Sequence, residues 1–158
     1  MALSTESIDA IKEAAARYPH KKSAILPALT IAYRQIGYLY DDLYIEVADA
    51  IGVSPNEVAS AATFYTMFPK QKVGKYLIQV CTNISCGLMG AESLKEYLLK
   101  KLNVKEGGIS EDGLFTVVSV ECLGSCTTAP MMQVNQTYYE NLTKEKVDEI
   151  LNDLREKG

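Results

Sequence analysis

The sequence predicts an α/β protein in which a helical N-terminal part precedes alternating strands and helices. Up to about residue 70, apolar residues recur at steps of three and four, which is typical of amphipathic helices. Beyond it, short runs rich in β-branched residues alternate with helical ones, which indicates parallel strands joined by helical crossovers. The four cysteines of the chain form two close pairs, each at the end of a predicted strand. We therefore expect an N-terminal four-helix bundle over residues 1–70 and an α/β domain over 71–158.

Four helices are expected in the N-terminal part. The first carries an apolar stripe that stops at Pro19, and the second runs from Ser23 to a closing glycine, Gly37. The third closes in the same way at Gly52. The fourth has the clearest start, because residues 54–57 read Ser-Pro-Asn-Glu and offer an N-cap, a proline at the first helical position and a capping-box glutamate.

The second part is expected to alternate strand and helix. A strand over 75–80 leads into the first cysteine, and a helix over 87–102 follows it. A second strand over 115–120 leads into the second cysteine pair, so both pairs lie at the carboxyl ends of strands, where open α/β sheets place their sites. A hairpin over 131–139, with both methionines on alternating faces, precedes a last helix that starts at Thr143.

Composition excludes several classes of function. With 47% hydrophobic residues among 158, the chain can bury a core. Its 16 basic residues are scattered and the net charge is -4, so we expect no nucleic-acid partner. The first 20 residues carry acidic side chains and no apolar run approaches the length of a membrane span, which predicts a cytoplasmic protein with no direct membrane insertion.

The cysteines carry the main chemical signal. They stand as Cys81-x4-Cys86 and Cys122-x3-Cys126, with 35 residues between the pairs. In a reducing compartment paired cysteines point to metal or redox chemistry, because structural disulfides do not persist there. A 2Fe-2S cluster matches this number, since each iron has two positions filled by sulfide and two left for thiolates.

Three different roles for the cysteine pairs stay open at this point. Structural zinc sites also use two cysteine pairs, usually spaced C-x2-C to C-x4-C, although the loop between their pairs is usually short. A thiol-disulfide oxidoreductase would place a C-x-x-C pair at the start of a helix, and neither pair has that spacing. Four inert buried cysteines are possible in a cytoplasmic protein, but two close pairs after two strands would then be a coincidence.

Beyond the spacing, several motifs together resemble a known family. The second pair is followed by Ala129-Pro130, residues 62–68 read Ala-Thr-Phe-Tyr-Thr-Met-Phe, Gly74-Lys-Tyr precedes the first pair and Asp112-Gly113 the second strand. This constellation extends over nearly the whole chain. It resembles the thioredoxin-like 2Fe-2S subunit of NADH:quinone oxidoreductase, respiratory complex I, and is similar to the small subunits of NAD-reducing hydrogenases and formate dehydrogenases.

The resemblance implies a thioredoxin-like ferredoxin domain after the helical bundle, with Cys81, Cys86, Cys122 and Cys126 as the metal ligands and 2Fe-2S as the cofactor. It implies an electron-transfer subunit without a catalytic site of its own, whose flavoprotein partner holds FMN and NADH. A larger iron-sulfur subunit is the second expected partner, and the complex could bring the chain to a membrane. The alternative host is a soluble NAD-dependent or electron-bifurcating hydrogenase or a formate dehydrogenase.

Some neighbouring residues lead to further expectations. Gly87 is expected to begin a helix whose N–H groups point at the cysteines, and Gly124 to let backbone amides approach sulfur, so that amides and not lysines surround the cluster. The aromatic residues Phe64, Tyr65 and Phe68 are expected to lie in the core or at a subunit contact. His20, the single histidine, is expected in a solvated turn.

Overall fold

The structure is a computed structural model that describes residues 2–157, which divide into two compact units, the first ending at Lys72 and the second beginning at Val73. Within the described residues, the first unit contains four α-helices and a short 3₁₀ helix over Lys21–Ala24. The α-helices are α1 (Thr5–Ala16), α2 (Ile25–Ile36), α3 (Asp41–Ile51) and α4 (Pro55–Phe64).

The helix ends of the first unit follow local sequence signals. Gly37 and Gly52 close α2 and α3 with φ of +86° and +78°, a left-handed conformation that glycine adopts without a steric penalty. At the start of α4, the backbone N–H of Ser54 donates to Glu57 Oε2 at 3.2 Å, as the capping box predicts. These three boundaries lie where the sequence placed them.

The first unit has its own apolar core, which includes Ile11, Leu29, Leu43 and Val47. Of the three aromatic residues expected to be buried or in a subunit contact, only Phe68 lies in this core, while the Phe64 side chain is 78% exposed. Phe64 follows the buried Ala62 by two residues, about 200° around the helix, and so faces away from the core.

The second unit holds a four-stranded sheet and three α-helices among its described residues. Its elements are β1 (Tyr76–Cys81), α5 (Ile84–Leu88), α6 (Ala91–Leu102), β2 (Phe115–Val120), β3 (Met132–Val134), β4 (Thr137–Tyr139) and α7 (Lys144–Glu156). The strand order is β2-β1-β3-β4. β1 and β2 are parallel, whereas β3 is antiparallel to both β1 and β4. The predicted α/β class is confirmed.

The strand register positions the cysteines. Cys81, the last residue of β1, lies opposite Val120, the last residue of β2. Because the two strands are parallel, the chain leaves both at the same edge of the sheet. Cys122 follows two residues after Val120, so the two cysteine pairs begin beside each other.

The predicted single helix over residues 87–102 is wrong. The chain forms two helices there, α5 and α6, and Gly90 between them has a φ of +91°, which breaks the helical path. Gly87 lies inside α5 and does not begin a helix, since its N–H donates to the carbonyl of Asn83 at 2.8 Å.

The hairpin methionines also differ from expectation, because Met131 and Met132 are both fully buried. They lie in one apolar core with Cys81 and Cys86. None of the helices described within residues 2–157 has the length and apolar character that crossing a membrane would need.

Gly74, which precedes β1, is predicted to tolerate no side chain. A Cβ at this position would lie 2.8 Å from the backbone of Leu114 and Phe115, which cannot move aside as a flexible side chain could. Replacing Gly74 with alanine should therefore lower the free energy of unfolding by about 2 kcal/mol. This corresponds to a melting temperature about 8–16 °C lower, measurable by circular dichroism on the iron-free chain.

Gly87 offers a matched control in the same unit. A Cβ there would lie 3.5 Å from the Thr82 carbonyl oxygen, an ordinary contact, and alanine is the better helix former. We expect Gly87→Ala to keep or slightly raise the melting temperature. A Gly74→Ala chain that melts with the native protein would contradict the predicted steric clash.

Candidate metal centre

The first cysteine pair, Cys81 and Cys86, is buried. Cys81 ends β1 and Cys86 lies in α5, and the two side chains are 3% and 2% exposed. Their side chains are hydrogen-bonded to each other. The short helix α5 brings Cys86 close to Cys81, because it begins only three residues after the end of β1. At its start, the Asn83 side chain accepts from the N–H of Ile84 at 2.9 Å.

The second cysteine pair, Cys122 and Cys126, is exposed to solvent. Both residues belong to the segment 121–131 between β2 and β3, which we term the second cysteine loop. Their Sγ atoms are 3.7 Å apart, and Cys126 begins a 3₁₀ helix that extends to Thr128. All four cysteines are free thiols.

The two pairs meet at one edge of the sheet. The backbone N–H of Leu123, which lies within the second cysteine loop, hydrogen-bonds to the sulfur of Cys81 in the first pair. Cys126 is close enough to Cys86 for its charge to raise the pKa of that thiol. Asn83 Nδ2 also donates to Glu121 Oε2 at 2.9 Å and joins the two segments.

Backbone amides donate to three of the four cysteine sulfurs. Among the described residues, the N–H groups of Asn83 and Leu123 donate to Cys81, that of Met131 to Cys86, and that of Gly124 to Cys122. The Gly124 nitrogen is 3.4 Å from Cys122 Sγ. Such donors stabilise negative charge on sulfur. The expectation that amides supply these contacts agrees with the structure.

The two glycines expected to shape the site behave differently. The N–H of Gly87 is used within α5 and does not reach a sulfur. Gly124 does supply a donor, but a Cβ at this position would meet no atom within 4 Å. Glycine is required there because of its φ of +81°, which other residues rarely adopt, and not because space is short.

Burial and hydrogen bonding act in opposite directions on the first pair. Burial raises the pKa of the Cys81 thiol, but the amides of Leu123 and Asn83 and the Cys86 side chain donate to it, and the net result is a lowered pKa. Burial raises the pKa of Cys86, and its donation to Cys81 raises it further. The two thiols of the first pair are therefore shifted in opposite directions, with a lowered pKa at Cys81 and a raised pKa at Cys86.

The hairpin that follows holds the second cysteine loop in place. The Tyr138 hydroxyl donates to the Leu123 carbonyl at 2.9 Å. Thr128 Oγ1 donates to Glu140 Oε1 at 2.7 Å, and the Ser125 hydroxyl donates to the same carboxylate oxygen. These donors lower the pKa of Glu140, with Ser125 contributing most. The carboxylate thus fixes the half of the loop that contains Cys126.

The residues at this edge fit a binuclear iron-sulfur cluster. Thiolates are the ligands of such clusters, and each iron takes two of them. The four cysteines form two pairs, and the side chains within each pair are in contact. Within residues 2–157, no three histidine, cysteine, aspartate or glutamate side chains are arranged to hold one metal ion. The ligand role of the four cysteines stays a prediction.

Residues that position the cysteines were missed in the sequence, namely Tyr138, Glu140, Ser125, Thr128 and Asn83. Their contacts join residues that are up to 38 positions apart, as between Asn83 and Glu121. Of this set, only Asn83 carries a local signal, since asparagine is a favoured N-cap residue before a short helix.

Comparisons with known proteins point to one protein family. The family model for the thioredoxin-like [2Fe-2S] ferredoxin matches residues 11–155. An NADH-quinone oxidoreductase subunit of Rhizobium meliloti is 43% identical over 92% of this chain and 86% of its own length. NADH-quinone oxidoreductase subunit 2 of Thermus thermophilus is 40% identical over 93% and 83%. An NADH-quinone oxidoreductase subunit of Rickettsia conorii is 45% identical over 87% and 83%.

A solved structure shares the fold at lower identity. An NAD⁺-reducing [NiFe]-hydrogenase in the H₂-reduced state superposes with a TM-score of 0.69 and 20% sequence identity. The match covers 87% of this chain but only 22% of the hydrogenase chain, so this chain spans about a fifth of that neighbour. The likeness concerns the fold.

Proposed function

Because the chain belongs to the thioredoxin-like [2Fe-2S] ferredoxin family, we propose that it is the electron-transfer subunit of an NADH-oxidising flavoprotein complex of the NADH-quinone oxidoreductase type. In this proposal Cys81, Cys86, Cys122 and Cys126 hold one 2Fe-2S cluster. When bound, such a cluster takes up and releases one electron.

The observation that carries the proposal is the meeting of two thiol pairs at one sheet edge, with backbone N–H groups directed at sulfur. A 2Fe-2S cluster held by four thiolates carries a formal charge of about -2 when oxidised and about -3 when reduced. The amides of Leu123 and Gly124 are fixed donors that stabilise this charge. Relatives at 40–45% identity, all named as NADH-quinone oxidoreductase subunits, support the same conclusion.

The two pairs have different tasks in this proposal. The buried Cys81 and Cys86 keep water from one side of the site, because they lie in the apolar core with Met131 and Met132. The exposed Cys122 and Cys126 lie on the side that a partner can approach. Electrons would therefore enter and leave at the second cysteine loop.

Hydride chemistry is assigned to another chain. The sequence has no glycine-rich dinucleotide fingerprint and no P-loop. FMN and NADH would belong to a flavoprotein subunit that exchanges single electrons with this chain, and a larger iron-sulfur subunit would complete the complex. The relatives' names support this host over a hydrogenase, whose structural likeness concerns the fold alone.

The first unit is proposed to dock the flavoprotein subunit as a helix bundle. All four cysteines lie in the second unit, which has its own core, so the helices up to Lys72 supply no thiol to the site. Large exposed hydrophobic side chains lie at and just after the end of α4, and the two most exposed are Phe64 at 78% and Met67 at 57%. A protein contact would cover this apolar surface.

Electron paramagnetic resonance with metal analysis tests the cofactor. The purified chain is expected to contain about two irons and two acid-labile sulfides and to show a rhombic spin one-half signal after dithionite reduction. The same sample without dithionite is the control and should be silent. One zinc ion per chain with no signal in either sample would refute the redox function.

A further inference from the structure

We propose that Tyr138 is a positioning residue for the iron-sulfur site, whose hydroxyl orients and polarises the peptide that donates to Cys122. The inference rests on the proposed function and deepens it. It assigns part of the control of the reduction potential to a side chain that touches neither iron nor sulfur.

The geometry links Tyr138 to sulfur through one peptide unit. The Tyr138 hydroxyl donates to the carbonyl oxygen of Leu123 at 2.9 Å. The other end of the same peptide is the N–H of Gly124, which donates to Cys122 Sγ at 3.4 Å. In a trans peptide the C=O and N–H point in opposite directions, so one unit can accept from the tyrosine and donate to the sulfur.

Hydrogen bonds in such a chain strengthen one another. A donor at the carbonyl oxygen draws electron density from the peptide and makes its N–H a better donor. Tyr138 also fixes the orientation of this peptide, because Gly124, which has a φ of +81°, lacks the Cβ that would restrict its backbone. Leu123 supplies its own N–H to Cys81, so the residue that Tyr138 holds serves both cysteine pairs.

Tyr138 reaches the loop from the sheet. It lies in β4 opposite Gln133 of β3, and β3 pairs with β1. The sheet that carries Cys81 thereby also carries the hydroxyl that acts on Cys122. The other half of the loop has a separate attachment, through Thr128 to Glu140.

Loss of the hydroxyl should lower the reduction potential. A cluster gains one negative charge when it is reduced. Because hydrogen-bond donors to sulfur stabilise negative charge, they favour the reduced state. If cooperative strengthening is about 10–30% of a charge-assisted hydrogen bond, its loss makes reduction about 1.3- to 4.6-fold less favourable. For a one-electron couple this lowers the potential by about 7–40 mV.

The experiment compares three variants of the full chain in a dithionite titration followed by electron paramagnetic resonance. Tyr138→Phe removes the hydroxyl and is expected to lower the potential. Tyr139→Phe removes a hydroxyl from the adjacent residue, which packs on the core, and should keep the native potential. Thr128→Val loosens the loop at Glu140 without changing charge and is expected to speed cluster loss while the remaining cluster keeps its potential.

The outcomes separate this inference from the proposed function. A native chain that binds no iron and sulfide refutes the function itself. A native chain that loads normally, with a Tyr138→Phe potential equal to that of Tyr139→Phe, overturns only the role of Tyr138. Equal loss of cluster in Tyr138→Phe and Thr128→Val, with no measurable potential shift, also overturns it, because Tyr138 would then merely anchor the loop.

Discussion

Replacing Cys122 or Cys126 with alanine is expected to abolish cluster binding while the fold of the chain persists. Each iron needs two thiolates, so the loss of one leaves an iron without a full set of ligands. Both side chains are exposed, and neither belongs to the apolar core of the second unit. Iron and sulfide content should fall at least tenfold, the reduced-state resonance signal should vanish, and the circular dichroism spectrum should remain native.

The buried pair should respond differently. Cys86→Ala should also abolish the cluster, but it removes a core side chain and should cost about 1–2 kcal/mol of unfolding free energy in the iron-free chain. Thr127→Ala is a matched control, because Thr127 is exposed beside Cys126 and its replacement leaves every thiol in place. A Cys122→Ala chain with native iron content and an unchanged signal would remove that sulfur from the ligand set.

The place of the candidate site follows from local sequence signals. Strand patterns lead into both cysteine pairs, and parallel strands end at one edge, so Cys81 and Cys122 could be expected to meet on the strength of the strand pattern alone. The capping box at Ser54 and the closing glycines are also local signals, and they determine three helix ends. Each of these signals lies within a few residues of the feature that it determines.

Contacts distant in sequence could not be predicted in this way. The donation from Tyr138 to Leu123 depends on the register of β4 against β3, which spacing alone does not give. The burial of both Met131 and Met132 has a similar origin. Consecutive buried residues in β1 and β2 indicate a sheet covered on both faces, whereas alternation predicts one buried face.

Removing residues 1–72 is expected to abolish association with the flavoprotein subunit while the remaining chain still binds its cluster. The second unit begins at Val73, contains all four cysteines and has an apolar core built from its own residues. The truncated chain should therefore show native iron content and the reduced-state resonance signal. Co-purification with a tagged flavoprotein subunit, produced in the same cells, should fall at least tenfold.

A double substitution in the full chain tests the same contact without truncation. Phe64→Ser together with Met67→Ser removes two exposed apolar side chains near the end of α4, and neither is part of the core of the first unit. Association should weaken because apolar area buried in a contact contributes about 25 cal/mol per Å². Ile45→Ser, at a 49% exposed position on α3, is the matched control. If the truncated chain still co-purified fully, the docking role would be assigned to the second unit, whose Cys122 and Cys126 are exposed.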